Sequence, residues 1–172
     1  RHYYNNTSSF DDVQMLQQLP YTLYESAAHF LVEKLIKNFV VFTGIEKDIV
    51  ALILKVLKPM TSNDEIVKRG QPADTMFLIN KGIVNITNKL GHIVCQFRAG
   101  QSFMEYATFR MLKKHAFNAV SVSRCELYSL HADDVALLAD DITTKIRGES
   151  SPYEAIGLLR QNICLLEQFR AY

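Results

Sequence analysis

The run from Asp64 to Leu130 contains Glu-Ile-Val-Lys at 65–68, Thr-Met-Phe-Leu-Ile-Asn at 75–80, Ile-Val-Asn-Ile-Thr at 83–87, His-Ile-Val-Cys-Gln-Phe at 92–97, Phe-Asn-Ala-Val-Ser-Val at 117–122 and Cys-Glu-Leu-Tyr-Ser-Leu at 125–130. Successive side chains of a strand point to opposite faces, so Met76 and Leu78 oppose Phe77 and Ile79, and Ile93, Cys95 and Phe97 oppose Val94. Each segment therefore offers at least one apolar face. Glycines at 70, 82, 91 and 100 fall between the segments, where tight turns are needed. Short strands at this spacing predict a small antiparallel sandwich or barrel, mainly β, with the rest of the chain helical around it.

The flanks carry a different period. Asn5-Asn6-Thr7-Ser8-Ser9 reads as a loop, with a short helix opening at Ser9 and Asp12 and running through Leu19, and Pro20 either ends that helix or starts the next. In residues 22–41, Leu23, Ala27, Phe30, Leu31, Leu35 and Phe39 form an apolar stripe opposite Glu25, Glu33, Lys34 and Lys37. Such a stripe needs a partner, either the chain's own core or another protein. Thr43-Gly44-Ile45-Glu46 reads as a capping box ahead of Ile45, Ile49, Leu52, Ile53, Val56 and Leu57, whose helical spacing lasts to Pro59. Beyond Leu130, Val135, Leu138, Ile142 and Ile146 repeat at helical spacing. After a break at Gly148, Ser151-Pro152-Tyr153-Glu154 starts a last helix with Ile156, Leu159, Ile163, Leu166 and Phe169 on its apolar face.

Composition removes several function classes. With 172 residues the chain is long enough for one core and an appendage, and 48% hydrophobic with 22% charged residues describes a folded protein. Nineteen basic against eighteen acidic residues leave a net charge of +1, so no global field draws the chain to nucleic acid or an anionic membrane. Cys95, Cys125 and Cys164 are scattered and odd in number, which favours reduced core residues over a disulfide framework. No apolar run reaches the roughly 20 residues that span a bilayer. A chain starting at Arg1 rather than Met reads as an excised or processed fragment. His2, His29, His92, His115 and His131 make no metal-type spacing with carboxylates or cysteines, and neither a nucleophile elbow nor a phosphate loop of the hydrolase type occurs. No enzyme is expected.

Several stretches, in this order, resemble a cyclic nucleotide-binding homology domain: Lys68-Arg69-Gly70, Met76-Phe77-Leu78-Ile79, Lys81-Gly82-Ile83-Val84, Gly100-Gln101-Ser102-Phe103-Met104-Glu105 and Leu127-Tyr128-Ser129-Leu130. The resemblance implies an eight-stranded antiparallel β-roll (jelly-roll-like) over roughly residues 40–140, with flanking helices. Leu19-Pro20, Leu23 and the 22–41 helix resemble the end of the C-linker of cyclic nucleotide-regulated and voltage-gated cation channels. Similar modules occur in sperm-type sodium/proton exchangers. On this reading residues 1–41 are a C-linker-like segment and 42–172 the homology domain with its carboxyl-terminal helices.

The resemblance also implies a pocket. Binding members carry a short helical phosphate cassette that opens with glycine and glutamate and is followed by an arginine near the next strand. Here Glu105 matches the ribose-contacting glutamate, Met104 stands at the glycine, His115 at the arginine and Ala116 at the following hydroxyl, with Tyr106 beside Glu105. An arginine presents a permanent charge and a rigid donor fork to two phosphate oxygens, whereas histidine, with a reference pKa of about 6.5, is often neutral at cytosolic pH. Weak or absent cAMP or cGMP binding is the expectation, and no cofactor. Arg110, Lys113 and Lys114 crowd the cassette and read as compensating phosphate contacts, a solvated basic loop or an interface with an acidic partner. Glu105 reads as a ribose contact or as a carboxylate that stabilises the fold. Ile156, Leu159 and Ile163 would form a helix lid.

For function, the resemblance implies a regulatory or gating domain on the cytoplasmic side of a membrane. Its partner would be the transmembrane channel or exchanger domain of the parent chain, and the linker helices imply a homotetramer. A competent cAMP or cGMP sensor coupled to transport, and a protein-interaction or assembly domain, are the alternatives.

Overall fold

The computed structural model describes Met15 and residues 18–145. Most of the expected helix over 9–19, and the last helix with its Ile156, Leu159 and Ile163, lie outside the described residues. Helix α1 (Tyr21–Asn38) leads through a 3-10 turn (Val40–Phe42) into α2 (Lys47–Val56). Strands β1 (Lys58–Ser62), β2 (Glu65–Val67), β3 (Thr75–Lys81), β4 (Ile83–Thr87), β5 (Ile93–Arg98) and β6 (Ser102–Phe103) follow. The short helix α3 (Glu105–Thr108) then precedes β7 (Asn118–Ser121), β8 (Cys125–His131) and α4 (Ala132–Lys145). The strands form two four-stranded antiparallel sheets, ordered β1-β8-β3-β6 and β2-β7-β4-β5. The eight-stranded roll with flanking helices is the fold.

Strand β3 is buried on both faces, which explains its unbroken apolar run from Met76 to Ile79, and β8 buries Cys125, Leu127, Tyr128 and Leu130 beside it. The register sets Met76 against Leu130 and Leu78 against Tyr128, and these four face the helices with Phe39, Phe42, Ile49, Ile53 and Leu54. Turned the other way, Phe77 and Ile79 join Leu127 and Cys125 between the sheets, where Val84, Ile86, Phe97, Phe103 and Ala119 close the core. The first sheet is thus a partition between two apolar clusters. Directly opposed residues of an antiparallel pair share a face, so one register shift would turn both clusters inside out.

Four local expectations are corrected. The stripe of α1 that is buried runs through Ala28, Leu31, Val32, Leu35 and Phe39, while Leu23 and Phe30 point to solvent at 56% and 70% exposure. The Thr43 capping box does not form: α2 starts at Lys47, its N-cap Glu46 makes no side-chain cap bond, and Thr43 ends the 3-10 turn by donating its N–H to the Val40 carbonyl. Helix α2 also stops at Val56, and Lys58 to Ser62 becomes β1. Pro59 is tolerated there because β1 is an edge strand that pairs only with β8. Among the described cysteines Cys125 is buried as expected, but Cys95 is exposed on edge strand β5.

Candidate cyclic nucleotide pocket

Strand β6 hands the chain to the cassette. Phe103 is fixed opposite Phe77 by pairing of β6 with β3, and its ring stacks on Phe77 at 5.1 Å and on Phe97 at 6.0 Å. Met104 then turns the backbone into α3 with φ 60° and ψ 30°, a left-handed conformation that favours glycine. Its side chain is 6% exposed and packs into the cluster between the sheets. Where the resemblance places a glycine, this chain accepts a strained residue and fills the space with a thioether.

The remaining expected residues separate into a buried set and an exposed one. Glu105 is 1% exposed and accepts a 2.6 Å hydrogen bond from the Ser102 hydroxyl. Tyr106 donates its hydroxyl proton to the Met104 sulfur at 2.8 Å and stands 3.3 Å from His115 Nδ1, with the two rings edge to face at 6.1 Å. Since the tyrosine proton goes to sulfur, this contact suits the histidine tautomer with its proton on Nδ1. Met104, Tyr106 and His115 are therefore brought together. Arg110, at φ 52°, is drawn away into an ion pair with Asp133 at the start of α4. Lys113, Lys114 and Ala116 are exposed.

His115 is held by its backbone as well as its ring. Its N–H donates to the Gln71 carbonyl, and its own carbonyl accepts from Gly70 N–H. Burial pushes its pKa below the ordinary 6.5, opposed in smaller measure by the negative charge of Asp74. A lowered folded-state pKa means that the unfolded chain takes up the proton first as pH falls. The stability contributed by neutral His115 is thus complete above about pH 6.5 and lost as pH drops through the folded value. In urea unfolding between neutral and mildly acidic pH, the wild type is expected to lose more stability than His115→Gln. Equal slopes would refute this role.

Two contributors escaped the sequence reading. Ser102 and Glu105 have the spacing of a capping box, yet the N-cap of α3 is Met104 with no side-chain cap bond, and Ser102 instead donates directly to the Glu105 carboxylate where β6 ends and α3 begins. Arg69 sits far from the cassette along the chain, yet its N–H donates to the Asn118 side chain and its Nε–H to the Ala116 carbonyl. His131 ends β8, and its Nδ1 accepts the N–H of Asp133 in the first turn of α4.

Among the described residues no helix is long and apolar enough to cross a membrane, and no cluster of histidine, cysteine and carboxylates has the arrangement of a metal site. The family described as cyclic nucleotide-binding domain matches residues 57–141. No curated protein matches the chain. The catabolite activator protein of Thermus thermophilus is similar in structure, with a TM-score of 0.59 at 20% identity, covering 77% of this chain and 58% of that one. The regulatory domain of Toxoplasma gondii PKA, solved with cAMP, gives 0.57 at 17% identity, covering 69% and 48%. The chain thus spans about half the length of these two structures. Sheet topology and sequence agree over the same stretch: this chain carries a domain of the cyclic nucleotide-binding fold.

Proposed function

We propose that the chain is a regulatory domain of a cyclic nucleotide-regulated or related cation channel, acting on the cytoplasmic side of the membrane, whose cassette does not hold cAMP or cGMP tightly. Residues 1–41 serve as the linker toward the transmembrane part and 42–172 as the regulatory roll. The observation that carries the ligand reading is the interior of the cassette. A buried, neutral-leaning histidine contacts Tyr106 where a phosphate needs a cation, and the Met104 side chain packs into the core where the fold's binding members have none. Arg110 is engaged by Asp133, and Lys113 and Lys114 are exposed on the loop, so the nearby cations do not replace the missing guanidinium.

The linker reading rests on the resemblance of Leu19-Pro20, Leu23 and the first helix to channel linkers. Helix α1 packs through Leu31, Leu35 and Phe39 on the same cluster as Leu78 and Tyr128, so a displacement of α1 would be felt by the roll. Regulation then needs two positions of that helix with unequal contacts, and a ligand is only one way to bias them. Calorimetric titration of the chain with cAMP and cGMP tests the ligand reading. No saturable heat in the micromolar range is expected, and micromolar or tighter binding abolished by Glu105→Ala overturns the reading.

A further inference from the structure

Two loops remote in sequence run antiparallel beside the cassette. Gly70 N–H donates to the His115 carbonyl at 2.9 Å, His115 N–H to the Gln71 carbonyl at 3.0 Å and Ala73 N–H to the Lys113 carbonyl at 3.2 Å, and Pro72 bridges Lys114. This ribbon gathers Lys68 and Arg69 from one loop with Lys113 and Lys114 from the other, all four exposed. Among the described residues none of the four has a carboxylate within ion-pair reach. Of the neighbouring acids, Asp133 is held in an ion pair by Arg110, and Asp74 stands 3.4 Å from His131, a charge pair only when that histidine is protonated. Three exposed apolar side chains flank the cations: Met111 at 46%, Leu112 at 45% and Phe117 at 37%.

We propose that this ribbon is a docking surface for an anionic bilayer. Unneutralised cations on a protein of net charge +1 form a local field rather than a global one, and a membrane bearing acidic headgroups complements it. Apolar tips beside the cations suit the headgroup boundary, where side chains enter the acyl region while lysines remain at the phosphate level. A peptide partner fits less well. The two loops already satisfy several of each other's backbone groups, which leaves little edge for an added strand. An open cleft between α1 and the sheet, lined by Leu31, Lys34, Asn38, Asn80 and Tyr128, lies on the helical side of the first sheet. The surface uses no nucleotide chemistry, so it stands or falls apart from the ligand reading above.

Flotation of the 172-residue chain with phosphatidylcholine vesicles, with and without phosphatidylserine, tests the assignment. Association is expected only with the serine lipid, and it should weaken as salt rises. Each cation near such a surface changes partitioning about fivefold, so Lys68→Gln, Arg69→Gln, Lys113→Gln and Lys114→Gln together should weaken it by two to three orders of magnitude if additive. Met111→Ser with Leu112→Ser should weaken it without changing the salt slope. All these positions are exposed, and an unchanged melting curve verifies that each variant is folded. Equal association with both vesicle types overturns the proposal. So does serine-lipid binding that survives the fourfold variant, or an acidic peptide captured by a chain that ignores the vesicles.

Discussion

Gly82→Ala is expected to destabilise the fold by about 3 kcal/mol or more, with a large fall in the urea midpoint. Gly82 joins β3 to β4 at φ +104°, a conformation that residues with a Cβ rarely adopt. A Cβ added there would lie 2.5 Å from Cys125 Sγ, 3.0 Å from Cys125 Cα and 3.1 Å from the Arg124 carbonyl oxygen. The sulfur has little room to retreat: Cys125 is wholly buried and its thiol lies 3.3 Å from the carbonyls of both Ile83 and Ser123. The other two neighbours are backbone of β8 and the turn before it. Gly91→Ala is the control, since Gly91 also has positive φ but nothing within 4 Å of its added Cβ. There only the backbone term applies, about 1–2 kcal/mol. Pairing Gly82→Ala with Cys125→Ala removes the sulfur clash and should recover part of the loss, not all. If Gly82→Ala proves no worse than Gly91→Ala, close approach is not what demands this glycine.

The same turn shows which parts of the architecture could be read from the chain. Six strand segments were legible because their apolar residues alternate and turn residues bound them. Strand β1 was not, because Ile53, Val56 and Leu57 extend the helical period up to Pro59, and only pairing with β8 reveals that the backbone has already straightened. Strand β6 has two residues, too few for any period. In α1 the sequence offers two apolar faces, and Leu23 and Phe30 look as suited to burial as Ala28 and Val32. The choice is made by what the helix meets, namely α2 and the outer face of β3 and β8. Cys95 misled for a related reason: on an edge strand, an alternating residue need not have a second layer over it.

In the cassette, the identity of each residue was legible and its conformation was not. Resemblance drew attention to Met104, Glu105 and His115 by position. Nothing in the letters said that Met104 would keep the left-handed turn, or that Tyr106 would join its sulfur to His115. Nor did Lys68 and Arg69 announce that they would meet Lys113 and Lys114, since the loops approach only when β2 pairs with β7.

Met104→Gly combined with His115→Arg is expected to raise cAMP affinity by about 30-fold to several thousand-fold over the wild type. That range corresponds to one buried, charge-assisted phosphate contact of about 2–5 kcal/mol. Each substitution answers a distinct defect. Glycine adopts φ 60° without strain and removes the side chain that packs into the core and receives the Tyr106 hydroxyl. The guanidinium supplies a permanent charge and paired donors where the imidazole is held toward its neutral form by burial. Without ligand, the same guanidinium would sit at a buried position with only Asp74 as an opposing charge nearby among the described residues, so the unliganded variant should melt below the wild type. Added cAMP should then raise its melting temperature in a concentration-dependent way, because a ligand that binds only the folded state stabilises it by mass action. The wild type should show no such rise. Glu105→Ala placed on top of the two changes distinguishes the roles left open for that carboxylate. Loss of the cAMP response at unchanged unliganded stability marks a ribose contact, whereas a lower unliganded melting temperature marks the partner of Ser102. A folded double variant that ignores cAMP would show that these two positions are not what disables the cassette.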